Sequence, residues 1–242
     1  MSSSKFTSLL YLLSFVLLFK AAFGYGYLHH ICSSTEKFTT NDPFDTNLRD
    51  LAGNLSNATP ANGFALDSRG QSPYQVYGLA LCLVNVPKED CWGCVSNAGQ
   101  DILNRCPNTK GATIWYVKCL FKYRNENFFG QLDLNGVGSC SPNNVSESII
   151  SFNENRNNLW SQLANETLGS QNLYAVGSSE LNGSSKLYGF TQCTKDISRA
   201  DCGVCLDSSF RYISENCNGK QGGSISTGSC SIRYEMYEFL NN

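Results

Sequence analysis

Five cysteines recur in the same order and spacing at an offset of 111 residues: Cys82, Cys91, Cys94, Cys106 and Cys119, then Cys193, Cys202, Cys205, Cys217 and Cys230. Both sets read Cys-x8-Cys-x2-Cys-x11-Cys-x12-Cys, with Cys32 and Cys140 standing upstream of the first and second set. The twelve cysteines therefore divide into six and six, the mark of one domain copied twice. A chain built this way folds as two small units whose modest cores call for covalent bracing.

Cysteine chemistry depends on compartment, and residues 1–26 read as a secretory signal peptide. Lys5 gives a positive start, Leu9 to Phe19 is apolar, and Ala22-Phe23-Gly24 supplies small residues at cleavage spacing. The apolar run falls short of the roughly 20 residues that span a bilayer. No second long apolar run follows and the final residues are not a hydrophobic tail, so neither a membrane span nor a lipid anchor is expected. Cleavage after Gly24 or Gly26 would leave a first domain over 27–134 and a second over 135–242. Outside the cell, paired cysteines become disulfides. Asn54, Asn57, Asn144, Asn165 and Asn182 each open an N-glycosylation sequon, with Asn57 the weakest because Pro60 follows its Thr59. Without Lys5 and Lys20 the charge moves from −2 to about −4, and no basic face marks a nucleic-acid binder.

Each copy reads the same way locally. Phe44, Leu48, Leu51, Ala52 and Leu55 lie at helical spacing behind Pro43, and Asn153 to Leu168 is the counterpart with Leu159, Trp160, Leu163 and Leu168. Lys88 to Arg105 and Arg199 to Glu215 read as second helices, their apolar stripes forming core. Strands are expected at Gln75 to Asn85 and Lys186 to Lys195, and shorter ones at Gly63 to Leu66 and Tyr174 to Gly177. Thr113 to Tyr123 reads as one strand with Trp115, Val117, Cys119, Phe121 and Tyr123 on one face, and Ser224 to Tyr234 as its copy. Two helices on an antiparallel sheet of about five strands, done twice, is an α+β architecture of tandem disulfide-stapled domains.

Cys82-x8-Cys91-x2-Cys94 and Cys193-x8-Cys202-x2-Cys205 each follow a Tyr-Gly pair, at 77–78 and 188–189. This pattern resembles the plant cysteine-rich repeat secretory proteins, whose module is the domain of unknown function 26, also called the stress-antifungal or ginkbilobin-2-homologous domain. The resemblance covers essentially the whole chain after the signal peptide. Spacing alone leaves fifteen pairings per set of six cysteines. The resemblance implies Cys32–Cys106, Cys82–Cys91 and Cys94–Cys119, then Cys140–Cys217, Cys193–Cys202 and Cys205–Cys230. It also implies secretion to the apoplast and a role in stress or defence.

For a ligand, the resemblance implies a mannose-type site made of an Asn just after the first cysteine, an Arg six residues before the last and a Glu five residues beyond it. Those positions hold Ser33, Thr113 and Arg124 in the first copy and Ser141, Ser224 and Glu235 in the second, so only Glu235 matches. Alone, Glu235 reads as a solvated charge at a strand end. The Cys-x2-Cys pairs have the spacing of thiol–disulfide oxidoreductases, but each is embedded in a six-cysteine frame, and no second pair is spaced to complete a zinc site. His29 and His30, the only histidines, read as an exposed start rather than as ligands or a base. The expectation is a non-enzymatic extracellular module without a cofactor or metal, docking a protein partner. The alternatives are a cell-wall or microbial glycan as ligand and, behind it, the oxidoreductase.

Overall fold

The computed structural model describes residues 26–146, 148–181 and 185–239. The signal peptide reading falls on residues outside these except Gly26, and Asn182 also lies outside them. The first copy runs β1 (Tyr27–Cys32), α1 (Pro43–Ala58), β2 (Phe64–Arg69), β3 (Val76–Cys82), α2 (Lys88–Arg105), β4 (Gly111–Tyr116) and β5 (Cys119–Arg124). The second runs β6 (Gly136–Cys140), α3 (Ile149–Gly169), β7 (Tyr174–Glu180), β8 (Lys186–Cys193), α4 (Arg199–Asn216), β9 (Gly222–Thr227) and β10 (Cys230–Glu235). Each forms a five-stranded antiparallel sheet, ordered β1-β4-β5-β3-β2 and β6-β9-β10-β8-β7. The architecture is α+β, two helices on one face of each sheet.

Local chemistry starts the helices. Asp42 caps α1 by accepting the Asp45 N–H, with Pro43 in the first turn, and Ser198 caps α4 by accepting the Asp201 N–H. Phe44, Leu48, Leu51 and Leu55 then face the sheet and are buried. On α2 the buried stripe includes Cys91, Cys94, Val95, Ala98 and Ile102. Six disulfides brace the two cores: Cys32–Cys106, Cys82–Cys91, Cys94–Cys119, Cys140–Cys217, Cys193–Cys202 and Cys205–Cys230.

One expectation needs correction. Thr113 to Tyr123 is not a single strand but the hairpin β4–β5, turning at Val117 and Lys118, and its copy turns at Gly228 and Ser229. The turn resets the alternation. Ile114 pairs with Phe121 on the helix side, while Trp115 pairs with Leu120 on the other. Alternation read through a tight turn assigns residues beyond it to the wrong face.

That second face joins the copies. Leu79, Leu81, Trp115, Leu120 and Phe128 form a separate buried cluster, joined by Val137 of β6. Trp115 Nε1 donates to the Thr227 carbonyl at 2.9 Å. Gln192 works as a short piece of strand: its Oε1 accepts from Val84 N at 2.8 Å and its Nε2 donates to Cys82 O at 3.2 Å. Two sheets therefore meet through the faces their helices leave free.

Candidate functional site

The β9–β10 register places Arg233 opposite Ser224 and Glu235 opposite Gly222. Ser141 follows β6 and donates its backbone N–H to Gly222 O at 2.8 Å. The three sequence positions Ser141, Ser224 and Glu235 thus converge, and all three line a cavity of about 590 Å³ between the copies. The opposite wall comes from the first copy, through Leu28, the segment Leu83 to Pro87, Val117 and Lys118.

Glu235 is not a solvated charge. Its side chain is only 14% exposed, and Arg233 grips one oxygen, with Nε at 3.0 Å and Nη2 at 2.9 Å from Oε1. The other oxygen lies over Gly222, where any side chain would run into the carboxylate. Burial pushes the Glu235 carboxyl above the usual glutamate value, and Arg233 offsets part of that rise. Arg233 also donates to the Tyr237 hydroxyl at 2.9 Å and sits 4.4 Å from the centre of the Phe239 ring, which tilts against Phe190. A carboxylate, a guanidinium, serines and three aromatic rings therefore line one cleft.

The first copy has the same framework but a closed site. Lys122 and Arg124 occupy the positions of Arg233 and Glu235, and both turn to Asp133 in the segment joining the copies, at 2.6 and 3.3 Å. Asp133 is further anchored through its N–H to Ser229 Oγ at 2.9 Å. Phe128 lies under Lys122 at 4.6 Å, as Phe239 lies under Arg233, and the two phenylalanines are 111 residues apart. Burial pushes the Asp133 carboxyl up, but the Lys122 ammonium and donors from Lys122 and Asn135 outweigh it and hold it below the ordinary value. Thr113, paired with Lys122 across the hairpin, is 2% exposed, and the partly buried Ser33 donates its N–H to Gly111 O at the strand end. The connecting segment thus fills in one copy the face that the other leaves as a cleft.

The remaining candidates lie elsewhere. Each Cys-x2-Cys pair bonds outward, Cys91 to Cys82 and Cys94 to Cys119, then Cys202 to Cys193 and Cys205 to Cys230, so neither pair closes on itself as a redox dithiol does. His30 is half-buried rather than an exposed start. Its Nδ1 meets the Tyr27 hydroxyl at 2.6 Å, and Arg105 stacks on the Tyr27 ring at 3.7 Å, tying β1 to the end of α2. Burial, then the Arg105 charge, lowers the His30 pKa. Asn54 and Asn57 lie on α1, Asn165 on α3, and Asn144 is exposed with its side chain accepting from Lys220. Sequence reasoning missed Arg233, Tyr237 and Phe239; matching Phe128 to Phe239 across the 111-residue offset was the signal available.

A family model described as salt stress response/antifungal matches residues 31–126 and again 139–237. The chain belongs to that family. Among its relatives is an antimicrobial ginkbilobin-2-like protein of Castanea crenata, 42% identical over 214 residues, covering 88% of this chain and 89% of the relative. Cysteine-rich repeat secretory protein 38 of Arabidopsis thaliana is 38% identical over 219 residues, covering 89% and 86%. The tandem DUF26 ectodomain of the Arabidopsis thaliana cysteine-rich receptor-like protein PDLP8 superposes with a TM-score of 0.77 at 25% identity, covering 89% of this chain and all of that one. Like these family members, this is a secreted, disulfide-braced extracellular protein. Among the described residues, no helix is long and apolar enough to cross a membrane.

Proposed function

We propose that this family member is a non-enzymatic extracellular recognition protein that takes a glycan in the cleft between its two copies. The observation that carries this reading is the convergence of Ser141, Ser224, Arg233, Glu235, Tyr237 and Phe239 on one cavity of about 590 Å³. A sugar exchanges its water hydrogen bonds for protein ones only where several polar groups meet, and its C–H faces pack on aromatic rings. The second copy offers both, and the antimicrobial name of the Castanea crenata relative accords with a microbial or cell-wall glycan. The domain limits proposed with this reading are 27–134 and 135–242.

Titration of the secreted protein with mannose-containing oligosaccharides, selected on a glycan array, tests the reading. Glu235→Gln and Phe239→Ala should each weaken binding at least about tenfold, a change of about 1.4 kcal/mol. An array without sugar-dependent binding sinks it. A protein partner is the second reading, favoured by the apolar lip from the first copy, where Leu28 and Val117 remain 42% and 43% exposed. A protein ligand would lose affinity on Val117→Asp while a small sugar would not.

A further inference from the structure

Asn57 stands in the last turn of α1 with an exposed side chain, and its Oδ1 accepts the Trp92 Nε1–H at 3.1 Å. An indole nitrogen only donates, so the amide oxygen must face the ring and Nδ2, the atom that N-glycosylation bonds, must face away from it. Trp92 projects from α2 beside this amide with 51% of its surface exposed, a large aromatic face left out of the core. The second copy treats the same junction differently. There Gly203 occupies the position of Trp92 and Asn165 that of Asn57, since Leu159 and Leu163 pack on Gly189 as Leu51 and Leu55 pack on Gly78. The Leu168 Cδ1, from the last turn of α3, would lie 3.7 Å from a Cβ on Gly203. An aliphatic side chain covers that junction where no ring is present; in the first copy half of the ring stays exposed, with a sequon asparagine directly beside it.

We propose that Asn57 carries an N-linked glycan whose first N-acetylglucosamine packs on Trp92, supplying the cover that Leu168 supplies in the second copy. In the transfer, the Nδ2–C1 bond forms and the C1–O bond to a lipid-linked oligosaccharide diphosphate donor breaks. Nδ2 loses a proton and the lipid diphosphate leaves. Thr59, the third sequon residue, is fully buried and its hydroxyl donates to Leu55 O at 2.6 Å. Modification therefore precedes the folding of α1, after which Asn57 stays on the surface. The proline after Thr59 slows acceptance without blocking it.

The full secretory chain, produced by plant cells, is released from its glycans by a peptide glycosidase in ¹⁸O water and mapped by mass spectrometry; Asn57 should carry the label. Asn57→Gln, Trp92→Ala and the double variant are then melted as secreted proteins and as unglycosylated proteins from a bacterial periplasm. The unglycosylated set measures the bare hydrogen bond. The glycosylated set should show extra coupling worth roughly 2–4 °C in Tm, about 1 kcal/mol in a protein of this size. An unlabelled Asn57, or equal coupling from the two hosts, overturns the proposal.

Discussion

Lys122 is the most exposed to failure of the charged groups at the joint between the copies, because its side chain is 3% accessible and its carboxylate partner comes from the connecting segment. Asp133→Ala leaves that ammonium without its hydrogen-bonded carboxylate, with the Phe128 ring 4.6 Å away and the weaker field of Asp196. Removing one partner of a buried pair costs about 3–5 kcal/mol. An independent ceiling follows from neutralisation: shifting an amine from its ordinary 10.5 to pH 7, at about 1.36 kcal/mol per unit, costs about 4.8 kcal/mol. Arg124, 22% exposed, swings its guanidinium into water and adds little. Urea unfolding at pH 7, followed by near-ultraviolet circular dichroism, should therefore lose about 3–5 kcal/mol in Asp133→Ala. The apolar pair Lys122→Met with Asp133→Leu should lose about 1 kcal/mol, since shape is kept and no charge is stranded. The sign with pH is fixed as well. A stranded Lys122 has a folded pKa below its unfolded value, so the unfolded chain binds more protons in between and stability rises with pH. Asp133→Ala should then recover as pH is raised from 7 towards 10. A loss under about 1 kcal/mol with no such recovery would refute the buried clamp.

Three further outcomes follow from other contacts. Replacing Cys32 and Cys106 by serine, whose bridge spans a separation of 74, should cost about 4.5 kcal/mol on the loop-entropy model, against about 2.7 for Cys82 and Cys91, with a separation of 9; denaturant midpoints rank them. Gln192→Ala orphans Val84 N and Cys82 O in a buried joint and should lower stability by about 2–4 kcal/mol, whereas Thr194→Ala, with its hydroxyl unbonded, should cost less than about 1. Glycan affinity should fall as pH drops through the folded Glu235 pKa, which burial places above 4.5, because protonation removes the acceptor; Glu235→Gln should flatten that profile in calorimetric titrations.

The helices and the repeat were legible because their signals are local. Asp42 and Pro43 start α1, the stripe of Phe44, Leu48, Leu51 and Leu55 sets its buried face, and Lys88 to Arg105 matches α2 at both ends. The first hairpin was not, because Val117-Lys118 carries no turn signature, and the continuous alternation put Trp115 on the face of Phe121; in the second copy Gly228-Ser229, a glycine followed by serine between two strands, did carry one. Glu235 was found by position, yet its environment was misread. Its burial depends on Arg233 two residues away and on the wall given by the other copy, and neither the pairing nor that wall leaves a pattern in the chain.

By itself the sequence determined that one α+β unit is built twice, outside the cell, around a repeated cysteine frame. Spacing and periodicity are properties of neighbours along the chain, and they survive without knowledge of what packs on what. Only the tertiary structure decided that the copies are unequal. The connecting segment lays Asp133 and Phe128 across the first sheet and closes it, while the same face of the second sheet, with Arg233 and Glu235, opens on a cleft. That difference comes from contacts between residues about a hundred positions apart, such as Trp115 with Thr227 and Val84 with Gln192, and such contacts are set by how the two sheets stack.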